Sequence, residues 1–463
     1  MPGEIVILTR SLPLHQLGGM ETIVWDLARE FVREGQAVRV ITTALPGETR
    51  GEFDLDGVRI VPLSGCPSAR YTRAWWKGSR AYFEAHCLQS TAAVLSASAA
   101  GFGLLPIKRR LPHVPFVMQA HGTSWAEVRS KWRSRRLKSM LSSARNLLWL
   151  PRDLASYGRF DAVVAVGERV RASLRSAPIK WFTRAESIHL IENGVDSSLF
   201  RPDPESRREV RARLGVDERT PVVISANRLH VQKGTHLCIA AIADLARSGC
   251  GVRYVIAGDG PERDSLKEAI HAAGLDGSVT LLGRIGRSEL AWWMRGADAM
   301  LFLTQRDEGL PLNILEALAT GLPVVASKHL QTFASAAIHE VDPRDPKIVC
   351  GALIRALGQS GERTPFSLLP AGPLPLHERH AQYPIQPRGL AGSTAGGAGD
   401  DPALHTSDWR GALWRDGHRL GAVGLFRAAR SRSFACDLQS DRAASRGARA
   451  GSGGGLLDRL PDE

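Results

Sequence analysis

Residues 301–327 read LFLTQRDEGLPLNILEALATGLPVVAS, and the rest of the chain is organised around this stretch. The apolar run 299–303 has the length of a strand, 304–309 carries turn residues, and a helical pattern begins near Pro311 and stops at Gly321. A second strand follows at 323–326. Glu308 stands just before the helix and Glu316 about a turn and a half inside it. The backbone N–H groups of a first helical turn lack intrahelical partners and, with the positive end of the helix dipole, favour an anion. A phosphate would take those amides while a carboxylate takes neutral hydroxyls, so a sugar joined to a diphosphate fits the pattern. An acidic helix start with an exposed Glu one turn on would use the same residues.

At 463 residues the chain is too long for one ordinary core, which implies two or three domains. Hydrophobic content of 43% and charged content of 23% are those of a soluble globular protein. No apolar run has the length of a membrane span, and residues 1–8 enter a strand with no signal-peptide layout, so a cytoplasmic location is expected. The six cysteines have no C-x-x-C spacing, so neither a zinc site nor a disulfide framework is indicated.

The net charge of +13 would suit nucleic acid or anionic lipid, and much of it is local. Nine Lys or Arg stand against two acids between His121 and Phe160. A helical pattern over 125–150 carries Arg129, Lys131, Trp132, Arg133 and Arg136. Cations beside Trp and Leu suit a helix docked on anionic headgroups at a membrane surface; a solvated basic face over a buried stripe is the other reading. No nucleic acid is expected as a partner.

Near the N-terminus a strand at 5–9, Gly18-Gly19, a helix at 20–34 and a strand at 37–42 make a βαβ unit, with glycines where a backbone approaches a phosphate. The dinucleotide pattern G-x-G-x-x-G is absent. Asp54 and Asp56 have metal-binding D-x-D spacing, but Gly57 and the strand 58–63 make a hairpin turn of them, so no metal is expected there. The strand 115–119 leads into His121-Gly122-Thr123. That is where open α/β sheets place ligands, although a structural His is the alternative.

A polar segment, 201–218, reads as a linker. Strands at 221–226, 252–257, 279–282, 299–303 and 323–326 then alternate with helices near 235–247, 262–273 and 287–295, a second doubly wound parallel sheet. The strand exits carry Arg228 with Lys233-Gly234, Gly258-Asp259-Gly260, Gly283-Arg284 and Glu308, all at one sheet edge. An Arg and a Lys beside a helix N-terminus can neutralise a diphosphate.

The order Gly18-Gly19, His121, Asn193-Gly-Val-Asp196 with Phe200 and Pro202, Arg228 with Lys233-Gly234, Gly258-Asp259-Gly260-Pro261 and Glu308-x7-Glu316 resembles the retaining GT-B glycosyltransferases of family 4, also described as glycosyl transferases group 1. The resemblance covers about residues 1–327. It implies two Rossmann-like, doubly wound α/β domains facing a cleft: an acceptor-side domain over 1–200, a linker over 201–219 and a nucleotide-sugar domain over 220–355 that is incomplete at its end. It further implies a metal-independent hexosyl transfer, with a nucleotide-diphosphate sugar as donor substrate, no separate cofactor, and a cell-surface glycan or lipid-linked acceptor, as in polysaccharide biosynthesis. Such an enzyme could sit peripherally at the inner face of the membrane.

By position, the resemblance puts Gly18 and Gly19 near the diphosphate and acceptor and His121 at the donor sugar. Arg228 and Lys233 fall on the diphosphate, Glu308 on the sugar and Glu316 on the ribose hydroxyls, with Gly258, Gly309 and Leu310 also lining the donor.

After Ser327 the pattern departs. Lys328-His329-Leu330-Gln331 stands where the family has a Gly-rich turn and Pro-Glu, residues 341–346 resemble it briefly, and beyond about 357 nothing does. Residues 356–463 hold thirteen Arg and no Lys amid Gly, Pro and Ala, and disorder is expected there. No segment supplies the family's C-terminal brace between domains. Two further readings follow: a catalytically impaired nucleotide-binding homologue, truncated or frameshifted at its end, and a GT-B sugar-nucleotide epimerase.

Overall fold

The computed structural model of the chain describes residues 3–16, 18–47, 50–126, 128, 150–306, 308–309, 311–330 and 335–359. They form two α/β halves. The first half is an eight-stranded sheet ordered β3-β4-β2-β1-β5-β6-β7-β8. Its strands are β1 Glu4–Leu8, β2 Val38–Thr43, β3 Phe53–Leu55, β4 Val58–Leu63, β5 Thr91–Ala97, β6 Phe116–Ala120, β7 Ala162–Ala165 and β8 Ile188–Leu190. All neighbours are parallel except the β3–β4 hairpin. That hairpin holds Asp54 and Asp56 apart, the first against Arg59 and the second against Arg29.

The second half is a six-stranded sheet ordered β11-β10-β9-β12-β13-β14. Its strands are β9 Val222–Ala226, β10 Arg253–Ala257, β11 Val279–Gly283, β12 Ala299–Phe302, β13 Val324–Ser327 and β14 Ile338–Val341. Every neighbouring pair is parallel, so all six strands end at the same edge. The runs of β-branched and aliphatic residues suit strands covered on both faces. Successive residues go to opposite cores: Val222, Ile224 and Met300 lie on one face, Val223, Tyr254 and Leu301 on the other.

One reading of the sequence changes here. The segment taken as a linker, 201–219, folds into the helix Pro204–Leu214, started by the Asp203 side chain accepting from Glu205 N–H and closed by Gly215 in the left-handed conformation. Its polar pattern misleads because, beside Val210 and Ser206, the helix buries a charged residue. Arg211 is only 2% exposed, and its Nη1 lies 3.0 Å from Asp298 Oδ2, while Arg207 takes the other oxygen of that carboxylate at 2.9 Å. Beyond Ser327, β14 and the helix Pro346–Gly358, capped by Asp345, continue the second half to about the end of the expected 220–355 domain. Residues 328–330, which stand where the resembled family has a Gly-rich turn, form a short 3-10 turn.

The basic cluster Arg129, Lys131, Trp132, Arg133 and Arg136 lies outside the described residues, as do Leu310 and residues 360–463. No helix among the described residues is long and apolar enough to cross a membrane.

Candidate active site

The helix Leu312–Ala319 follows the turn after β12 and begins at Pro311 with no side-chain cap, so its first amides are not taken by a local side chain. It is held in place from below. Asn313 Nδ2 donates to the Ala226 carbonyl at the end of β9 (2.6 Å), and Ser327 Oγ donates to the Thr304 carbonyl (2.8 Å). In the turn itself Glu308 faces Lys233, with Nζ 2.6 Å from Oε1. The buried Thr304 hydroxyl lies 3.0 Å from the same carboxylate oxygen and 3.1 Å from the Gln232 carbonyl, with one proton for the two acceptors.

Lys233 reaches this point because Gly234, at φ 70°, turns the chain into the helix Thr235–Arg247, and a Cβ at Gly234 would collide with the Leu303 carbonyl. Gly258, at φ 142°, lets the β10 exit lie against the Asn227 carbonyl in the same way. Arg228 stands exposed at the β9 exit. Its charge is felt by His230, which is held below the ordinary histidine value first by burial and then by Arg228, with Arg306 and Lys233 adding to it and Glu262 opposing. The exits of β9 and β12 therefore bring Arg228, Lys233 and Arg306 into one positive region beside an uncapped helix start.

The first half faces this region. The helix Gly19–Arg33 starts from Gly18, also without a side-chain cap, and a Cβ at Gly19 would lie 3.9 Å from Leu312 Cβ. Two helix N-termini thus meet across the gap between domains. At the end of β6, the His121 carbonyl oxygen would lie 3.7 Å from a Cβ at Gly309, and Val170 Cγ2 would lie 3.2 Å from it. His121 Nε2 is 3.2 Å from Gln119 Oε1. Burial, and then the charge of Arg10, pushes this imidazole down to about 4, so it is neutral at pH 7. Gly18, Gly19, His121, Lys233, Glu308 and Gly309 thereby come to one interdomain cleft.

Two sequence profiles cover most of the folded region: "Glycosyltransferase Family 4" over residues 17–199 and "Glycosyl transferases group 1" over residues 206–356. The chain belongs to the family 4, group 1 glycosyltransferases of GT-B fold. A GDP-mannose-dependent alpha-(1-6)-phosphatidylinositol monomannoside mannosyltransferase of Mycobacterium tuberculosis is 36% identical over 172 residues, 36% of this chain and 43% of that protein. The chain thus aligns with under half the length of this relative. An alpha-D-kanosaminyltransferase of Streptomyces kanamyceticus is 28% identical over 332 residues, 66% of this chain and 81% of that protein. Among solved structures, HepE of Anabaena in complex with UDP and glucose has a TM-score of 0.58 at 19% identity, covering 78% of this chain and 93% of that one.

Within this family 4 fold, Glu316 sits differently from the other residues. It is 4% exposed, and its Oε1 lies 3.3 Å from Arg287 Nη2. Burial raises its carboxyl to about 7, the Arg287 charge and hydrogen bond pull the other way, and Asp26 adds to the rise. Sequence reasoning passed over Arg287, Asp26, Thr304 and Asn313. Arg287 opens the helix Arg287–Gly296 just beyond the β11 exit, a position that could have singled it out; its bond to Asp26, 261 residues earlier, carries no local signal.

Proposed function

We propose that the chain transfers a sugar from a nucleoside-diphosphate donor to a glycan or lipid-linked acceptor hydroxyl, with retention at the anomeric carbon and without a metal. The observation that carries this is the Lys233–Glu308 pair, 2.6 Å apart in the interdomain cleft. A donor diphosphate would take Lys233 and free the Glu308 carboxylate to accept from sugar hydroxyls. Breaking the anomeric C–O bond builds negative charge on the β-phosphate and oxocarbenium character on the sugar. Arg228, Lys233 and the amides that start the Leu312–Ala319 helix would stabilise the first without reorganising. Those fixed positive groups supply the neutralisation that other classes of sugar transferase draw from a divalent ion. Neutral His121 can share a hydrogen bond with the sugar without adding a second positive charge beside the oxocarbenium.

The name of the mycobacterial relative, which is GDP-mannose-dependent and acts on a phosphatidylinositol monomannoside, supports a nucleotide-sugar donor and a lipid-linked acceptor. Glu308→Gln and Lys233→Ala should each lower transfer by about a hundredfold or more, with EDTA leaving the unaltered rate unchanged. Unaltered rates in both variants would contradict the roles, and a rate lost to EDTA and restored by Mg2+ would contradict metal independence.

A membrane acceptor is supported by the basic cluster at 129–138 and by the aromatic pair Trp181 and Phe182, 70% and 47% exposed, beside Lys180 and Arg184 in the same half. Vesicles rich in phosphatidylglycerol should sediment the protein and neutral vesicles should not; equal recovery in both supernatants would remove this part of the reading.

A further inference from the structure

Arg287 is the first residue of the helix Arg287–Gly296, where a cation faces the positive end of the helix dipole. Left alone, that placement is unfavourable. Two carboxylates offset it, and they come from different halves of the molecule. Nη1 lies 2.7 Å from Asp26 Oδ2, on the Gly19–Arg33 helix of the first half, and Nη2 lies 3.3 Å from Glu316 Oε1 in the second. The guanidinium also stacks over Phe200, its carbon 5.4 Å from the ring centroid, where the chain crosses between halves. Nearby, Ile23 of the same first-half helix packs on the second-half core.

We propose that Asp26 and Arg287 are positioning residues that couple closure of the two domains to the grip on the donor ribose. In the closed arrangement Asp26 fixes one arm of the guanidinium, and the other arm orients the Glu316 carboxylate. When the domains part, Asp26 leaves, Arg287 gains freedom and Glu316 loses its orientation. Donor binding and closure then favour each other, as linkage requires. The inference rests on the reading of Glu316 as the ribose acceptor. Its environment agrees: burial raises this carboxyl to about 7 and Arg287 opposes the rise, so losing Arg287 would leave a protonated group less able to accept from a hydroxyl.

The test is calorimetric titration of the intact protein with UDP, GDP and ADP, followed by comparison of whichever binds best with its 2′-deoxy and 3′-deoxy counterparts. The unaltered chain should prefer the ribonucleotide over at least one deoxy form by about tenfold or more, the worth of a hydrogen bond to a charged group. In Asp26→Asn and Arg287→Met that preference should shrink to about threefold or less, with thermal unfolding showing a folded protein. Arg287→Lys, which keeps the charge but lacks a fork that spans both carboxylates, should fall between. Should Arg287→Met fail to fold, Asp26→Asn alters the half-exposed partner and still reads the coupling. A preference kept in full in Asp26→Asn would overturn the coupling and leave the Glu316 assignment standing. A missing preference in the unaltered chain, or no binding of any of the three nucleotides, would overturn that assignment and the coupling with it.

Discussion

Lys233 and Glu308 pair at 2.6 Å; in the proposed reaction a donor phosphate would replace the carboxylate at the ammonium, and sugar hydroxyls would replace the ammonium at the carboxylate. His121 and Glu316 are tuned by burial in opposite senses, and this has a consequence for stability. The folded chain holds the His121 proton only near pH 4, whereas an ordinary histidine binds it near 6.5. The unfolded state therefore binds more protons between those values, and the contribution of this group, full above pH 6.5, is lost as pH falls through about 4. Glu316 runs the other way. With its folded value raised from 4.5 to about 7, its contribution is full below 4.5 and lost as pH rises through about 7. Urea unfolding across pH 4–8 should show His121→Gln flattening the acid limb and Glu316→Gln gaining most at pH 8; pH profiles parallel to that of the unaltered protein would contradict both assignments.

Among the elements, the Pro204–Leu214 helix is fixed by its buried Arg211 on Asp298, and Asp298 also accepts from the Val222 N–H at the start of β9. Asp298→Ala would remove the buried carboxylate from Arg211, leaving only the exposed Glu218 at 3.5 Å, and should cost about 3–5 kcal/mol in urea unfolding; Asp298→Asn, which keeps an acceptor, should cost less. Equal and small costs for the two would mean that this pair does not hold the helix. The strands and helices that pack on apolar faces were legible because their period shows in the residues: 299–303, 323–326 and the Gly19 helix fall within a residue or two of their observed bounds. The Pro204 helix was not, because its apolar face is only Val210 and Leu214, and the charged residue it also buries, Arg211, finds its carboxylate 87 residues away. Likewise Gly234 and Gly258 could be read as phosphate-loop glycines, but the collisions with Leu303 and Asn227 carbonyls that require them appear only once neighbouring strands are in register.

For the molecule as a whole, the family and its two halves were legible in the order of six short motifs, whereas the contacts that join the halves were not. Gly19 against Leu312, Gly309 against His121 and Val170, and Asp26 against Arg287 are each separated by more than a hundred residues. No periodicity encodes such pairs, because they depend on how two independently packed sheets are set against each other. The basic cluster at 129–136 and residues 360–463 fall outside the described residues. The proposed transfer requires that a diphosphate be gripped where the β9 exit, Lys233 and the start of the Leu312–Ala319 helix converge. The most direct measurement is calorimetric titration of the full chain with UDP, GDP and ADP against UMP, GMP and AMP, repeated on Lys233→Ala. One diphosphate should bind about tenfold or more tighter than its monophosphate, and Lys233→Ala should remove most of that advantage. Equal affinity for mono- and diphosphates, or an advantage untouched by Lys233→Ala, would contradict it.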